Sequence, residues 1–175
     1  MAIRPYKGIL PKLGARVYVD EFAAVIGDVV LGDDASVWPM CSVRGDVNFI
    51  RIGARSNIQD NTVLHVTHKY SDLPEGRACI VGDDVTVGHQ CVLHACTIGN
   101  LCLIGMGSII LDGAVLHDHV LLGAGSLVTE DKVLDGDHLW MGRPAKKVRP
   151  LTGKELAWFA YSAKHYVKLK DDYLK

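Results

Sequence analysis

The sequence predicts an all-β fold, a parallel β-helix of stacked hexapeptide coils, with one C-terminal α-helix. Three observations carry this reading. An aliphatic residue recurs every six positions, a small or β-branched residue follows nearly all of them by four, and the pattern changes to helical spacing after about residue 151. Stepping by six gives Val19, Val25, Leu31, Val37 and Val43, then Ile52, Ile58 and Leu64, then Val81, Val87 and Leu93. It continues through Ile98, Ile104, Ile110, Leu116, Leu122 and Val128. Ile, Leu and Val fill roughly 0.3 of the chain, so seventeen such hits by chance is on the order of one in a billion.

The second register holds Ala23, Val29, Ala35, Cys41, Val47, Ser56, Thr62, Val85, Cys91, Thr97, Cys102, Ser108, Ala114, Val120 and Ser126, with no large aromatic or charged side chain among them. Gly and Asp cluster beside the aliphatic positions, where a chain turns sharply. One large and one small inward residue per short strand suits a parallel coil in which each strand pairs with its equivalent one coil away. Residues 1–150 are read as this β-helix with an N-terminal segment, the repeats covering about 17 to 135, and a loop ejected at a corner over 66–79. Residues 151–175 are read as a helix packing on the coil. Thr152 and Glu155 have capping-box spacing, and Leu156, Phe159, Ala160, Ala163, Tyr166 and Val167 recur at helical intervals.

Composition excludes several function classes. The chain has 175 residues, 49% hydrophobic, and a formal net charge of −1, as expected of one compact domain. Its Lys and Arg are scattered rather than gathered in a stripe, so nucleic acid is not an expected partner. No apolar run reaches the length of a membrane span, and MAIRPYKGILPKLG carries Pro and Gly where a signal peptide would be apolar, so a cytoplasmic protein is expected, with no membrane partner. Five cysteines without CxxC spacing read as reduced thiols rather than a disulfide framework.

The repeat phase sorts the eight histidines. His65 follows Leu64 and His94 follows Leu93, so both occupy one phase, and if Ile52–Ile58–Leu64 and Val81–Val87–Leu93 form successive coils the two rings stack at roughly 4.8 Å. His89 stands two places after Val87 on the neighbouring side and points away from that pair, so a second subunit must complete any three-histidine site. Three imidazoles with an open position are the ligand pattern of a catalytic zinc, whose bound water ionises near pH 7. His117, His119, His138 and His165 lie outside this phase relation and read as structural or solvated. His68, in the ejected loop, reads either as a solvated residue or as a proton acceptor of suitable pKa.

The segments RGDVNFIRIG, SNIQDNTVLH and VGHQCVLHACTIG resemble the γ-class carbonic anhydrases and their bacterial relatives over nearly the whole chain. The resemblance implies a left-handed coil, a homotrimer, and zinc held by His65 and His94 of one subunit and His89 of the next, with Co2+ or Fe2+ also compatible with three imidazoles. It implies hydration of carbon dioxide to bicarbonate. Gln59 resembles the residue that hydrogen-bonds the reactive water, with Asn57 orienting it, though both are also common corner residues. Arg44, Asp46 and Asp60 resemble a charged cluster crossing the trimer interface, or else form solvated surface pairs. Tyr161 resembles an aromatic residue at the rim of the site, with helical packing as the other reading. Ca2+ at the corner doublets Asp33–Asp34 or Asp83–Asp84 is a further expectation, beside plain turn residues. Val47 stands where well-studied members have an acidic loop linked to proton transfer. The segment GRPAKKVRP resembles the exit of hexapeptide acyltransferases, so acyl transfer, metal-dependent hydrolysis of a coenzyme A thioester and a non-catalytic trimeric scaffold stand as rival readings.

Overall fold

The computed structural model describes residues 2–175, which form a parallel β-helix of short strands followed by one helix, Gly153–Tyr173. Each side of the coil is a ladder of strands in parallel register, built on the six-residue step. Leu31 pairs with Ile52 and Ile52 with Val81, Val37 with Ile58 and Ile58 with Val87, and Leu64 with Leu93 and Leu93 with Ile110. Of the seventeen aliphatic positions, sixteen are fully buried in one continuous core, and Val19 in the first coil packs partly buried against it. Burying aliphatic side chains stabilises by about 1.5 to 3 kcal/mol each, so this column dominates the fold.

Two positions of the small register behave differently from expectation. Val47 is exposed because the strand Ser42–Ile52 bulges outward, the register jumping from Gly27–Gly45 to Val29–Ile50, and Ile50 takes the buried place. Thr97 is only partly buried because the step from Leu93 to Ile98 is five, which puts Cys96 inside instead. The ejected loop leaves after the strand Val63–His65 and returns at the strand Cys79–Val81. Both excursions occur at the same corner of the coil.

The Gly-Asp corner shows how coils stack. A Cβ on Gly53 would lie 2.3 Å from Asp83 Oδ1 and 2.5 Å from the Gly82 backbone, so glycine is what lets the coils approach there. Asp33, Asp83 and Asp118 each accept a backbone N–H from a neighbouring coil at 2.7 Å, from Ala15, Ala54 and Asn100 respectively. Asp34 pairs with Arg16 and Asp84 with Arg55. The doublets considered for Ca2+ thus have their carboxylates engaged in tying coils together. All five cysteines are free and buried. Burial pushes Cys41 and Cys102 up to about 12 and Cys91 to about 11, so these thiols stay protonated.

The repeat continues past residue 135: Leu122 pairs with Trp140 in the strand His138–Met141, and Lys146–Pro150 then folds back antiparallel on it. The C-terminal helix starts at a capping box, Thr152 and Glu155 bonding each other reciprocally. It packs on the side of the coil that carries Thr86–Val87. Phe159, Ser162, Ala163 and Lys170 are buried, Tyr166 and Val167 half-buried, while Leu156 and Ala160 face outward, so the inward stripe is narrower than their spacing suggests.

The cap carries a pH prediction. Hydrogen bonds from Arg149 first, then from the Thr152 backbone and hydroxyl, hold Glu155 at about 2 against an ordinary 4.5. A depressed carboxylate contributes stability above its unfolded pKa and loses it as pH falls through the folded one, so the cap should be intact at pH 4.5 and fade toward pH 2. NMR titration of the Glu155 carboxyl should give a midpoint near 2; a midpoint in the ordinary carboxylate range would refute the cap's electrostatics.

Candidate metal centre

The residues singled out by phase fall at two different corners of the coil. At the corner carrying both excursions, His65 and His94 end strands that pair directly, Cα against Cα in parallel register. His65 Nδ1 lies 3.2 Å from His94 Nε2. A tetrahedral metal at about 2.0 to 2.1 Å from each nitrogen would separate them by about 3.3 Å, so the pair fits two adjacent vertices of such a site. The far nitrogen of each ring meets a carboxylate: His65 Nε2 is 3.0 Å from Asp46 Oδ1, and His94 Nδ1 is 2.5 Å from Asp112 Oδ1.

Burial pushes the His65 imidazole below its ordinary pKa, which favours the neutral form that a metal requires. Burial alone would raise Asp46 and Asp112. Hydrogen bonds outweigh it and hold both low, from Arg44 and His65 on Asp46, and from Thr67 and His94 on Asp112. A cavity of about 490 Å³ opens between the two excursions, lined by Tyr6, Ile9, Val47 and Phe49 together with the charged Asp28, Asp46, Lys69 and Glu75.

His89 sits at the preceding corner, in the turn between the strands Thr86–Val87 and Val92–His94. It turns the chain with Gln90 before the strand Val92–His94 begins, so the length of that strand lies between it and the pair. Its Nδ1 lies 2.9 Å from Asp60 Oδ2, one coil below. Gln59, buried beside Asp60, donates Nε2 to Asn57 Oδ1 at 3.0 Å. Asn57 donates to Thr86 Oγ1 at 3.1 Å, and Thr86 shares a 2.8 Å hydrogen bond with Ser162 of the helix. The network runs from the coil corner into the C-terminal helix. Tyr161, the neighbour of Ser162, is 56% exposed and stacks between Trp158 and His165 on the outer face of that helix.

A single chain therefore holds two partial sites. Among the described residues, no three side chains of His, Cys, Asp and Glu converge so as to hold a metal ion. Arg44 and Asp46 pair with each other at the first corner and Asp60 belongs to the second, so within one chain the three charges grouped in the sequence are divided. Phe22, Met40 and Met106 stand on the same edge as His89, exposed by 67%, 62% and 61%. His68 lies exposed in the ejected loop against Tyr70, ring centroids 5.6 Å apart. Asp112 and Thr67 were not distinguishable in the sequence: Asp112-Gly113 reads like any other corner, and only stacking of coils eighteen residues apart puts it on His94.

A family model for bacterial transferase hexapeptide (six repeats) matches residues 95–130. Protein YrdA of Escherichia coli is 54% identical over 98% of this chain and 94% of its own. A carbonic anhydrase of Geobacillus kaustophilus is 41% identical over 99% of this chain and 91% of its own. Gamma carbonic anhydrase 2 of Arabidopsis thaliana mitochondria is 42% identical over 91% of this chain, which spans 57% of that relative. Among solved structures, a hexapeptide transferase family protein from Anaplasma phagocytophilum superposes with a TM-score of 0.90 at 40% identity, covering 98% of both chains.

Proposed function

Because the chain belongs to the γ-class carbonic anhydrase family of hexapeptide-repeat proteins, we propose that it catalyses the reversible hydration of carbon dioxide to bicarbonate at a zinc-type divalent metal shared between subunits of a homotrimer. The observation that carries this reading is the division of three carboxylate-backed histidines between two corners, two on one and one on the other. Closed threefold symmetry would set the His89 corner of each chain against the His65–His94 corner of the next, at three equivalent interfaces.

Bound there, the metal supplies a Lewis acid that ionises water near neutral pH. The protein's own groups do the rest. Asp46, Asp112 and Asp60 fix the rings of His65, His94 and His89 in orientation and tautomer. Gln59 spends its N–H2 group on Asn57, which leaves its carbonyl oxygen free to accept a hydrogen bond from the reacting water. Arg44, fixed by Asp46, offers charge to an anionic product. The exposure of Tyr161, beside the Ser162 anchor, supports a role for it at the rim of the shared site.

A second reading, acyl chemistry, is favoured by the hexapeptide transferase match and by the similarity to a transferase-family structure. Metal analysis of the purified protein followed by stopped-flow hydration of carbon dioxide separates the two. About one zinc per chain and hydration well above the buffer rate are expected. Stoichiometric metal with no hydration, together with hydrolysis of an acyl-coenzyme A thioester, would overturn the anhydrase reading in favour of acyl chemistry.

A further inference from the structure

The neck of the ejected loop is tied to the coil by contacts that the reading above leaves unused. Thr67 and Arg77 face each other across the neck, each donating its backbone N–H to the other's carbonyl, at 2.9 and 3.0 Å. Asn48, from the other excursion, donates to the carbonyls of Thr67 and Glu75 at 3.3 and 3.0 Å. The neck is thereby a fixed piece of backbone. From it, the Thr67 hydroxyl donates to Asp112 Oδ2, while Asp112 Oδ1 holds His94 Nδ1 at 2.5 Å. Arg77 pairs with Asp131 at 2.7 Å and lies against Gly113, where a Cβ would come within 2.1 Å of its Nη1. Two staples, Thr67–Asp112 and Arg77–Asp131, thus bind the neck to the coils beyond His94.

We propose that Thr67 and Asp112 are positioning residues that set how tightly His94 holds the metal, so that the ejected loop supports the metal centre through its neck. The inference rests on the metal reading above. An imidazole is free to turn about its last torsion unless its far nitrogen is held, and a carboxylate holding it is itself free to swing unless its second oxygen is held. Asp112 uses one oxygen on His94 and the other on Thr67, which fixes both torsions at once. The equivalent carboxylate behind His65 is fixed differently, by Arg44 of the coil. His94 is therefore the ligand whose orientation passes through the loop, and altering the neck loosens that arm without touching the core residue Leu93.

The test uses the full-length assembled protein, with zinc affinity measured against a chromophoric chelator, the visible spectrum of the cobalt-loaded form, and the melting temperature of the metal-free form. Asp112→Ala should weaken zinc binding by about 10- to 100-fold and alter the cobalt bands, with Asp112→Asn recovering part of the loss because its carbonyl still accepts from the ring N–H. Thr67→Val, which keeps the neck's backbone hydrogen bonds, should weaken zinc by about fivefold. It should have no further effect once Asp112 is Ala, because it acts through that carboxylate. His94→Ala serves as the control that abolishes binding. An Asp112→Ala protein that binds zinc within twofold of the parent, or a Thr67→Val effect equally large without Asp112, would overturn the positioning role alone. A folded parent that binds no zinc would overturn the metal reading and this inference with it. If Asp112→Ala fails to fold, Thr67→Val carries the test by itself: unchanged zinc affinity and cobalt spectrum in that variant refute the relay.

Discussion

Replacing His89 by Ala is expected to strip the metal from the assembled protein and reduce carbon dioxide hydration to the buffer background, while the coil stays folded. The side chain lost projects from a corner, and the buried Val87 and Leu93 on either side of it are untouched. Metal content by plasma emission and circular dichroism on the same sample check both halves. Mixed assemblies sharpen the result. A trimer built from His89→Ala and His65→Ala chains has an intact site wherever the good His89 of one chain meets the good His65–His94 pair of the other, which random mixing at equal amounts produces at about one site in four. Recovery of that fraction of metal is expected. No recovery in verified mixed trimers would place all ligands within one chain, and the shared-site model would fail.

The second large effect belongs to Lys170, on the buried face of the C-terminal helix and paired with Asp34 at 2.9 Å and with Asp171. Lys170→Met should destabilise the protein by about 2 kcal/mol, the loss of hydrogen bonds between charged groups. No carboxylate is left stranded, because Asp34 keeps Arg16 and Asp171 is half exposed. Denaturant unfolding with the slope held common to both proteins measures this, and a loss below about 1 kcal/mol would show that the pair is a surface contact in energetic terms. The pair also has a direction in pH. The Arg16 hydrogen bond first, then that of Lys170, hold the Asp34 carboxyl below the ordinary carboxylate range against its burial. The stability it contributes is complete at neutral pH and is lost only in acid, as pH falls through the depressed value.

How far the sequence foretold this molecule depends on whether a feature repeats. The inward aliphatic column is legible because each coil imposes the same demand, and a single substitution such as Trp140 for an aliphatic hides a rung only at the end. The stacking of His65 on His94 follows from the same period. What period cannot supply is where a corner gives way. The outward bulge at Val47, the five-residue step at Cys96, and the outward turn of Leu156 and Ala160 depend on which neighbours compete for the same space. Within one chain Arg44 and Asp46 stand at one corner and Asp60 at another, a separation that the six-residue period does not reveal. Asp112 was hidden for a related reason. Corner aspartates tie coils together throughout this chain, and nothing in the residue type distinguishes one that holds a backbone N–H from one that holds an imidazole.

A parallel coil has direction along its axis, since its last rung presents the same row of open N–H and C=O groups that its first rung would accept. Left bare, such ends would join head to tail, and a stack of molecules would lengthen into a fibre with no natural stop. Here the strand Lys146–Pro150 runs against the direction of the side of the coil it closes, and its Lys147 and Arg149 are held by Asp135 and Glu155. Reversed polarity denies an incoming first rung the pairing it would need on that side. One side of the coil is thereby closed to axial growth.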